Sequence, residues 1–194
     1  MKKKQKTVII VHGWDGNPNI GWFKWLRSEL KKRGFKVIAP IMPHPEAPKI
    51  SAWVGTLKKL INDMDENTIL VGHSMGTQTI LRYLEKSRSS CGKCILVAPF
   101  MKLTEYSFTE DPENEKSMRK IAKPWLTKEI ALKEVRKHSR EFIMIFSEDD
   151  PYIDLSNAKI FRKELGSKII IQKNKRHFEE DRTEKIPVLL KEIN

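Results

Sequence analysis

The segment 68–76 (TILVGHSMG) contains residue types that nucleophilic catalysis requires. A short apolar run leads into Gly72-His73-Ser74-Met75-Gly76, which fits the pattern G-x-S-x-G. This pattern is typical of a strand that turns sharply into a helix, with the serine at the apex of the turn. The glycines lack a Cβ, so they allow the strained turn and the close approach of strand and helix. We therefore predict Ser74 as a nucleophile; the alternative is a glycine-rich loop with an incidental serine.

A serine nucleophile predicts a histidine base later in the chain. The hydroxyl is a poor nucleophile at neutral pH and needs a base, which a carboxylate orients. In this strand-turn-helix arrangement the partners follow in the order Ser, Asp, His, each on a loop after a later strand. Of the five histidines, only His177 follows both Ser74 and an acidic loop and comes directly after a predicted strand. His177 is the predicted general base; the alternative is a surface histidine among charged neighbours.

The acidic loop after the fifth predicted strand offers several carboxylates. Asp150 is the preferred partner of His177, because Pro151 fixes the turn that follows it and Ile153 anchors the chain in the core. Asp149 remains the alternative from the residues alone. Asp154 directly precedes a predicted helix, where an aspartate commonly caps the helix N-terminus.

Acyl transfer also needs backbone N–H groups that stabilise the oxyanion. The expected donors are the N–H of Met75, directly after the nucleophile, and the N–H of Trp14, in the loop after the first strand. Substrate selectivity is expected to depend on aromatic and polar side chains near these loops. The predicted pocket residues are Trp14, Trp22, His44, Phe100, Phe108, Trp125 and Tyr152.

Alternating strands and helices would position these residues. Apolar, β-prone runs predict strands at 7–12, 35–40, 68–71, 93–98, 141–146 and 168–172. Helical spacing of apolar residues predicts helices at 20–33, 50–64, 77–85, about 127–138, 155–165 and about 183–193. Such alternation predicts an α/β fold: a doubly wound, mostly parallel six-stranded sheet with helices on both faces. If the strand order is 2-1-3-4-5-6, ligands bind where the order reverses, between strands one and three.

Length and composition favour one α/β domain over residues 1–194. Residues 99–126 interrupt the alternation with charged residues and two prolines, so we expect an insertion that could act as a lid. The formal net charge of +12 is spread over every helix, which favours a solvated basic surface over a specific nucleic-acid site. No apolar run is long enough to span a membrane, and no apolar leader is present, so we expect a cytoplasmic protein.

The two cysteines form Cys91-Gly92-Lys93-Cys94. Two thiols without nearby histidines cannot complete a zinc site, and a redox C-x-x-C is expected at a helix N-terminus instead. We therefore expect reduced, structural cysteines, no bound metal and no cofactor.

The chain resembles the small serine hydrolases related to retinoblastoma-binding protein 9, a compact branch of the α/β-hydrolase superfamily. The likeness rests on VHGW at 11–14, the aromatic cluster at 22–26, GFKVIAPIMPHPEAPK at 34–49, ILVGHSMG at 69–76, DDPYI at 149–153 and the loop that carries His177. The resemblance implies a sheet that lacks the first two antiparallel strands of larger hydrolases, and the triad Ser74, Asp150 and His177. Two departures affect local loop geometry: Arg176 precedes His177 where glycine is common, and Asp154 stands where a proline usually ends the acid loop.

Together these features predict a serine hydrolase that cleaves a carboxylic ester or related acyl bond through an acyl-enzyme intermediate. Two other functions remain open from the sequence. One is a protein-interaction module whose hydrolase site is weak or vestigial, with a protein partner as its ligand. The other is a peptidase or amidase that uses the same triad.

Overall fold

Six parallel strands form one sheet at the centre of a computed structural model, which describes residues 4–179 and 182–194. The strands are β1 (Thr7–Val11), β2 (Lys36–Ile38), β3 (Thr68–His73), β4 (Cys91–Val97), β5 (Ser139–Ser147) and β6 (Lys168–Gln172). Their spatial order is β2-β1-β3-β4-β5-β6, which confirms the predicted order, and every neighbouring pair is parallel.

Helices cover both faces of this sheet. All six residues of β3 are buried although successive side chains point to opposite faces, so both faces are shielded from water. The helices are α1 (Gly21–Lys32), α2 (Ile50–Leu60), α3 (Met75–Leu84), α4 (Tyr106–Thr109), α5 (Glu115–Thr127), α6 (Leu132–Val135), α7 (Ser156–Leu165) and α8 (Pro187–Ile193), with a 3₁₀ turn at Arg136–His138. The continuous apolar runs of the central strands are thus explained by burial on two sides.

The sheet brings the loops after β1 and β3 together. β1 lies between β2 and β3 in the sheet. The chain therefore passes from β1 to β2 on one side of β1, and then crosses back to form β3 on the other side. The two strands run in register from Thr7 opposite Thr68 to Val11 opposite Gly72. Their carboxyl ends therefore stop at the same edge, where a crevice forms between the diverging loops.

The segment 99–126 differs from the prediction, because it contains α4 and most of α5. A helix was expected later, at about 127–138, where the structure has only the short α6 and the 3₁₀ turn. The helical period is present in the sequence: Met118, Ile121, Ala122 and Trp125 share one face. Pro124 obscured it, since proline usually interrupts a helix. Here it lies in the last turn of α5, close to where the helix ends anyway.

Other elements have shifted ends. The helix predicted at 50–64 stops at Leu60 as α2, and β2 is shorter than expected, at three residues. The last helix begins at Pro187 rather than near 183, since proline fits the first turn, where no N–H partner is required. Within the described residues, no helix is long and apolar enough to cross a membrane.

Cys91 and Cys94 are free, buried thiols on β4. Burial raises the pKa of Cys91 to about 11 and raises the pKa of Cys94 well above its usual value. Both thiols are therefore protonated at neutral pH, in the form that reacts poorly.

Candidate active site

Ser74 lies at the sharp junction between β3 and α3. Its backbone has φ 48° and ψ −117°, a conformation that residues other than glycine rarely adopt. The strain is tolerated because β3 is buried and α3 begins immediately after the serine, so the surrounding structure fixes the turn. The side chain consequently projects from the apex of the turn at the carboxyl edge of the sheet.

Gly76 and Gly72 allow α3 to pack directly on the sheet. A Cβ added at Gly76 would lie 2.3 Å from the carbonyl oxygen of Val11 and 2.5 Å from that of His12. A Cβ at Gly72 would lie 2.9 Å from Ile80 Cδ1. The first contact involves backbone that cannot move without disturbing β1, so glycine is required at position 76.

Gly76→Ala should therefore destabilise the protein by roughly 3 kcal/mol or more. The matched control is Gly55→Ala in α2, where a Cβ meets nothing within 4 Å. This control should be neutral or more stable by about 0.5–1 kcal/mol, because alanine favours a helix more than glycine does. Urea unfolding followed by circular dichroism measures both effects. A Gly76→Ala protein with a wild-type midpoint would contradict the close packing of α3 on β1.

A chain of two hydrogen bonds connects Ser74, His177 and Asp150. His177 Nε2 lies 2.8 Å from Ser74 Oγ, and His177 Nδ1 lies 2.8 Å from Asp150 Oδ2. The side chain of His177 is 12% exposed and that of Asp150 is 2% exposed. A neutral imidazole that donates Nδ1–H to Asp150 presents the lone pair of Nε2 to the serine hydroxyl. This arrangement can remove the proton of Ser74 as its oxygen attacks an electrophile.

The backbone fixes the other oxygen of Asp150. Oδ1 accepts hydrogen bonds from the N–H of Tyr152 at 2.9 Å and from the N–H of Ile153 at 3.1 Å. The carboxylate is thus held by its own loop on one side and faces His177 with the other. Its orientation needs no other side chain, which explains how a surface loop can hold a buried carboxylate.

Asp149 has a different position, which the sequence did not reveal. Its Oδ1 accepts hydrogen bonds from the Ser147 hydroxyl at 2.5 Å, from Lys175 N–H at 3.1 Å and from Arg176 N–H at 3.0 Å. The Ser147 hydroxyl, followed by these backbone donors, lowers the pKa of Asp149. The carboxylate therefore ties the loop after β5 to the loop that carries His177.

Two further histidines, both discarded as bases from the sequence, support the site loops. His73 Nε2 donates to the carbonyl oxygen of His177 at 2.8 Å, and the two rings are 5.1 Å apart. His12 Nε2 accepts the N–H of Met42 at 2.9 Å, which joins the loops after β1 and β2. Their positions beside Gly13 and Ser74 in the sequence were the only signal of these supporting contacts.

A cleft of about 660 Å³ opens beside Ser74 and His177. Of the predicted pocket residues, Trp14, Phe100, Phe108 and Tyr152 line it, as does Met75. Gly13 brings the β1 loop close to Ser74, since a Cβ at Gly13 would lie 3.1 Å from Ser74 Cβ. The backbone of Trp14 thus follows directly on a residue that approaches Ser74.

Three predicted pocket residues do not line this cleft, so the prediction was wrong for Trp22, His44 and Trp125. Trp22 is fully buried, with Nε1 donating to the carbonyl oxygen of Phe178 at 3.0 Å. The His44 side chain is 80% exposed. Trp125 is buried on another side of α5, where Nε1 donates to the carbonyl oxygen of Pro48. Aromatic character alone did not separate core residues from cleft residues.

The cleft beside Ser74 has an acidic lining in a basic protein. Its described lining includes no lysine or arginine, whereas five carboxylates line it: Asp15, Glu46, Glu110, Asp111 and Glu179. Glu110 accepts a hydrogen bond from the Tyr152 hydroxyl at 2.8 Å, and burial together with Glu110 raises the pKa of Tyr152. The Tyr152 ring lies edge-on to His177, with centroids 4.9 Å apart. Within the part of the chain that the structure describes, no three His, Cys, Asp or Glu side chains form a metal site.

Comparisons with known proteins agree with this architecture. The family model described as serine hydrolase matches residues 8–186. YdeN of Bacillus subtilis (strain 168) is 31% identical over 180 residues, which cover 91% of this chain and 87% of YdeN. Serine hydrolase RBBP9 of Rattus norvegicus is 25% identical over 181 residues, which cover 92% of this chain and 90% of that protein.

The solved structures include the ydeN gene product of B. subtilis. Its crystal structure superimposes with a TM-score of 0.84 at 26% identity, and the match covers 97% of each chain. The overall fold is therefore shared along nearly the whole length of both proteins.

Proposed function

The chain belongs to the serine hydrolase family, and on this premise we propose that it hydrolyses carboxylic esters through an acyl-enzyme intermediate on Ser74. The observation that carries the proposal is the unbroken hydrogen-bond chain from Ser74 Oγ through His177 to Asp150, with 2.8 Å at each step. A nucleophile, a base and an orienting carboxylate in this geometry are the parts that acyl transfer requires.

In the first half-reaction, Ser74 Oγ attacks the acyl carbon while His177 Nε2 takes the hydroxyl proton. Asp150 stabilises the resulting imidazolium through its bond to Nδ1 and keeps the ring oriented. The carbonyl oxygen becomes an oxyanion, for which the N–H groups of Met75 and Trp14 are the proposed donors. Collapse of this intermediate breaks the ester C–O bond, and the leaving alkoxide takes its proton from His177.

In the second half-reaction, water replaces the alcohol. His177 Nε2 removes a proton from the water molecule while the water oxygen attacks the acyl carbon of the ester on Ser74. The second tetrahedral intermediate collapses, the bond to Ser74 Oγ breaks, and His177 returns the proton to the serine. The products are a carboxylic acid, an alcohol and the regenerated enzyme.

The lining of the cleft favours neutral esters with apolar acyl groups. Phe100, Leu103, Phe108, Met118 and Ile121 provide apolar surface near Ser74. Carboxylates at the same cleft repel anionic substrates, because the local potential is negative although the whole chain carries +12. Neutral esters with apolar acyl groups are therefore the proposed substrate class.

We also propose that residues 99–126 form a cap over the cleft within a single domain. Ser107 and Phe108 of α4 line the cleft together with Met118 and Ile121 of α5. Several hydrogen bonds tie the cap to the acid loop: Thr104 N–H donates to the carbonyl oxygen of Tyr152 at 2.9 Å, Thr104 Oγ1 donates to that of Pro151 at 2.6 Å, and the Tyr152 hydroxyl donates to Glu110. Changes in this segment should alter substrate choice more than they alter the chemistry at Ser74.

Labelling with a fluorophosphonate probe tests the proposal. The wild-type protein should be labelled, because His177 activates Ser74 toward the electrophilic phosphorus. His177→Ala should lose labelling, while His138→Gln should keep it, because His138 lies at the opposite end of the sheet, directly before β5. Labelled peptide mapping should locate the adduct on Ser74.

Absence of labelling in a wild-type protein that is folded by circular dichroism would overturn the proposal. The protein-interaction function would then be the better explanation, with the site retained for its shape. Equal labelling of wild type and His177→Ala would also contradict the proposed role of His177 as the base.

A further inference from the structure

A second cleft, of about 870 Å³, lies on the other side of α5 from Ser74. It is formed between α2, α3 and α5, and Ser117 and Ile121 of α5 line both clefts. The proposed hydrolysis does not use this second cleft. We name it the α2–α3–α5 cleft.

The α2–α3–α5 cleft has the opposite charge to the cleft at Ser74. Its lining contains a single carboxylate, Glu85, among the described residues, and Glu85 accepts a hydrogen bond from Ala131 N–H at 2.7 Å. Six cationic residues line it: Lys49, Lys58, Arg82, Lys86, Lys120 and Lys128. An anion is therefore attracted to this cleft and repelled from the cleft at Ser74.

Arg82 is the buried cation of this lining, with only 3% of its surface exposed. Its Nη2 donates to Gln78 Oε1 and to the carbonyl oxygens of Trp125 and Lys128, which caps the end of α5. Its Nε is buried and has no acceptor among the described residues. Nη1 likewise has no hydrogen bond within the described chain, and Glu85 acts on the guanidinium through space without a direct ion-pair contact.

A buried guanidinium with unused donors is costly unless an anion compensates it. An arginine has five N–H donors, and desolvation of its charge is repaid only by hydrogen bonds and opposite charge. The three acceptors of Nη2 are neutral, and burial lowers the pKa of Arg82 more than the nearby charge of Glu85 raises it, so Glu85 and the Trp125 ring, 6.0 Å from Cζ, offset the positive charge only in part. The cleft beside Arg82 has room for an anion.

Much of the remaining lining is apolar. Val54 of α2 and Ile121, Pro124 and Trp125 of α5 line the same cleft as Arg82. Hydrocarbon against these residues would remove apolar surface from water, while an anionic group meets the basic residues. The combination fits a molecule with one charged end and one apolar end.

We propose that the α2–α3–α5 cleft binds an amphiphilic anion, with its carboxylate or phosphate held by Arg82 and its hydrocarbon packed against α2 and α5. This site is separate from Ser74 and does not depend on the proposed hydrolysis. Its occupant would contact α5, which also forms a wall of the cleft at Ser74.

Isothermal titration calorimetry with three probes tests the proposal: octyl phosphate, octanoate and 1-octanol. Wild-type protein should bind at least one of the two anions at least about tenfold more tightly than octanol, because charge-assisted hydrogen bonds distinguish them. Comparison of octyl phosphate with octanoate tells which anionic group the cleft prefers.

Gly55→Phe provides a variant that fills the cleft. Gly55 lines it, lies in α2, and has nothing within 4 Å of an added Cβ, so we expect a phenylalanine here to project its ring into the cleft. Gly55→Phe should weaken anion binding by about tenfold or more. Gly55→Ala, the matched control, should bind as wild type does. Circular dichroism and the melting temperature verify that both are folded.

Arg82→Gln tests the charge directly and should bring anion affinity close to that of octanol. If this variant does not fold, Gly55→Phe alone decides. The proposal is overturned if wild-type protein binds neither anion at millimolar concentration, if octanol binds as tightly as the anions, or if Gly55→Phe binds them as Gly55→Ala does.

Discussion

Replacing Ser74 with alanine should reduce the hydrolysis of a short-chain p-nitrophenyl ester by roughly 10⁴-fold to 10⁶-fold. The residual rate would come from binding and from the oxyanion donors, which the substitution leaves in place. The expected loss is in kcat, since Ser74 Oγ is the proposed nucleophile that forms the covalent bond of the intermediate. Steady-state kinetics on purified wild type and variant measures this loss of kcat. Active-site labelling gives the concentration of active wild-type enzyme.

The melting temperature of Ser74→Ala should change little. Alanine keeps the Cβ and the same φ of 48°, and only the hydrogen bond to His177 Nε2 is lost. Ser74→Gly provides an informative companion, because glycine adopts this conformation without strain and should raise stability by about 1 kcal/mol. Both variants should be equally inactive. Activity of Ser74→Ala within tenfold of wild type would rule out Ser74 as the nucleophile.

Asp150→Asn should lower kcat for the same ester by about 10⁴-fold. An asparagine cannot stabilise the imidazolium, and its amide group can hold His177 in the tautomer that presents N–H, not a lone pair, to Ser74. The backbone donors Tyr152 and Ile153 can still bond to the side-chain oxygen at position 150, so the fold should be retained. Activity and urea unfolding should be measured on the same preparation.

Asp149→Asn is the matched control for Asp150→Asn. Its carboxylate accepts from Ser147, Lys175 and Arg176, so its loss should weaken the connection between the two loops more than it affects the chemistry. Because folding lowers the pKa of Asp149, its stabilising effect is present above the pKa of the unfolded state. That effect disappears as the pH falls through the lower, folded value. Asp149→Asn should therefore be less stable than wild type at neutral pH. The difference in stability between variant and wild type should become smaller in acid.

The pair of variants decides between the two aspartates that the sequence left open. If Asp149→Asn has the larger loss of kcat and Asp150→Asn retains activity, then Asp149 is the orienting carboxylate and the observed bond from Asp150 to His177 does not serve catalysis. If both lose activity only in proportion to stability, neither carboxylate orients the base.

The sequence was sufficient for the sheet and its order. Strands buried on both faces must be apolar at every position, so runs such as 68–71 stand out, and parallel strands joined by helices allow few right-handed arrangements. The same reasoning predicted which loops share an edge of the sheet, and therefore that Ser74 and His177 could meet. The glycines at 72 and 76 indicated the sharp turn, and at position 76 only a residue without a Cβ fits.

Tertiary structure decided what depends on side-chain direction and on contacts between distant loops. Asp149 and Asp150 are adjacent and chemically alike, yet they have different partners. The Asp149 carboxylate accepts from the backbone N–H of Arg176, whereas the Asp150 carboxylate contacts the His177 imidazole. Trp22 and Trp125 are aromatic like Phe108, but only Phe108 lines the cleft at Ser74. Local sequence determines backbone preference over a few residues, whereas these positions are set by packing between residues that are far apart in the chain. The environment of Arg82 is also set by tertiary packing. The sequence shows that the residue is positively charged, but it does not show that the side chain is buried or that its Nε has no acceptor among the described residues.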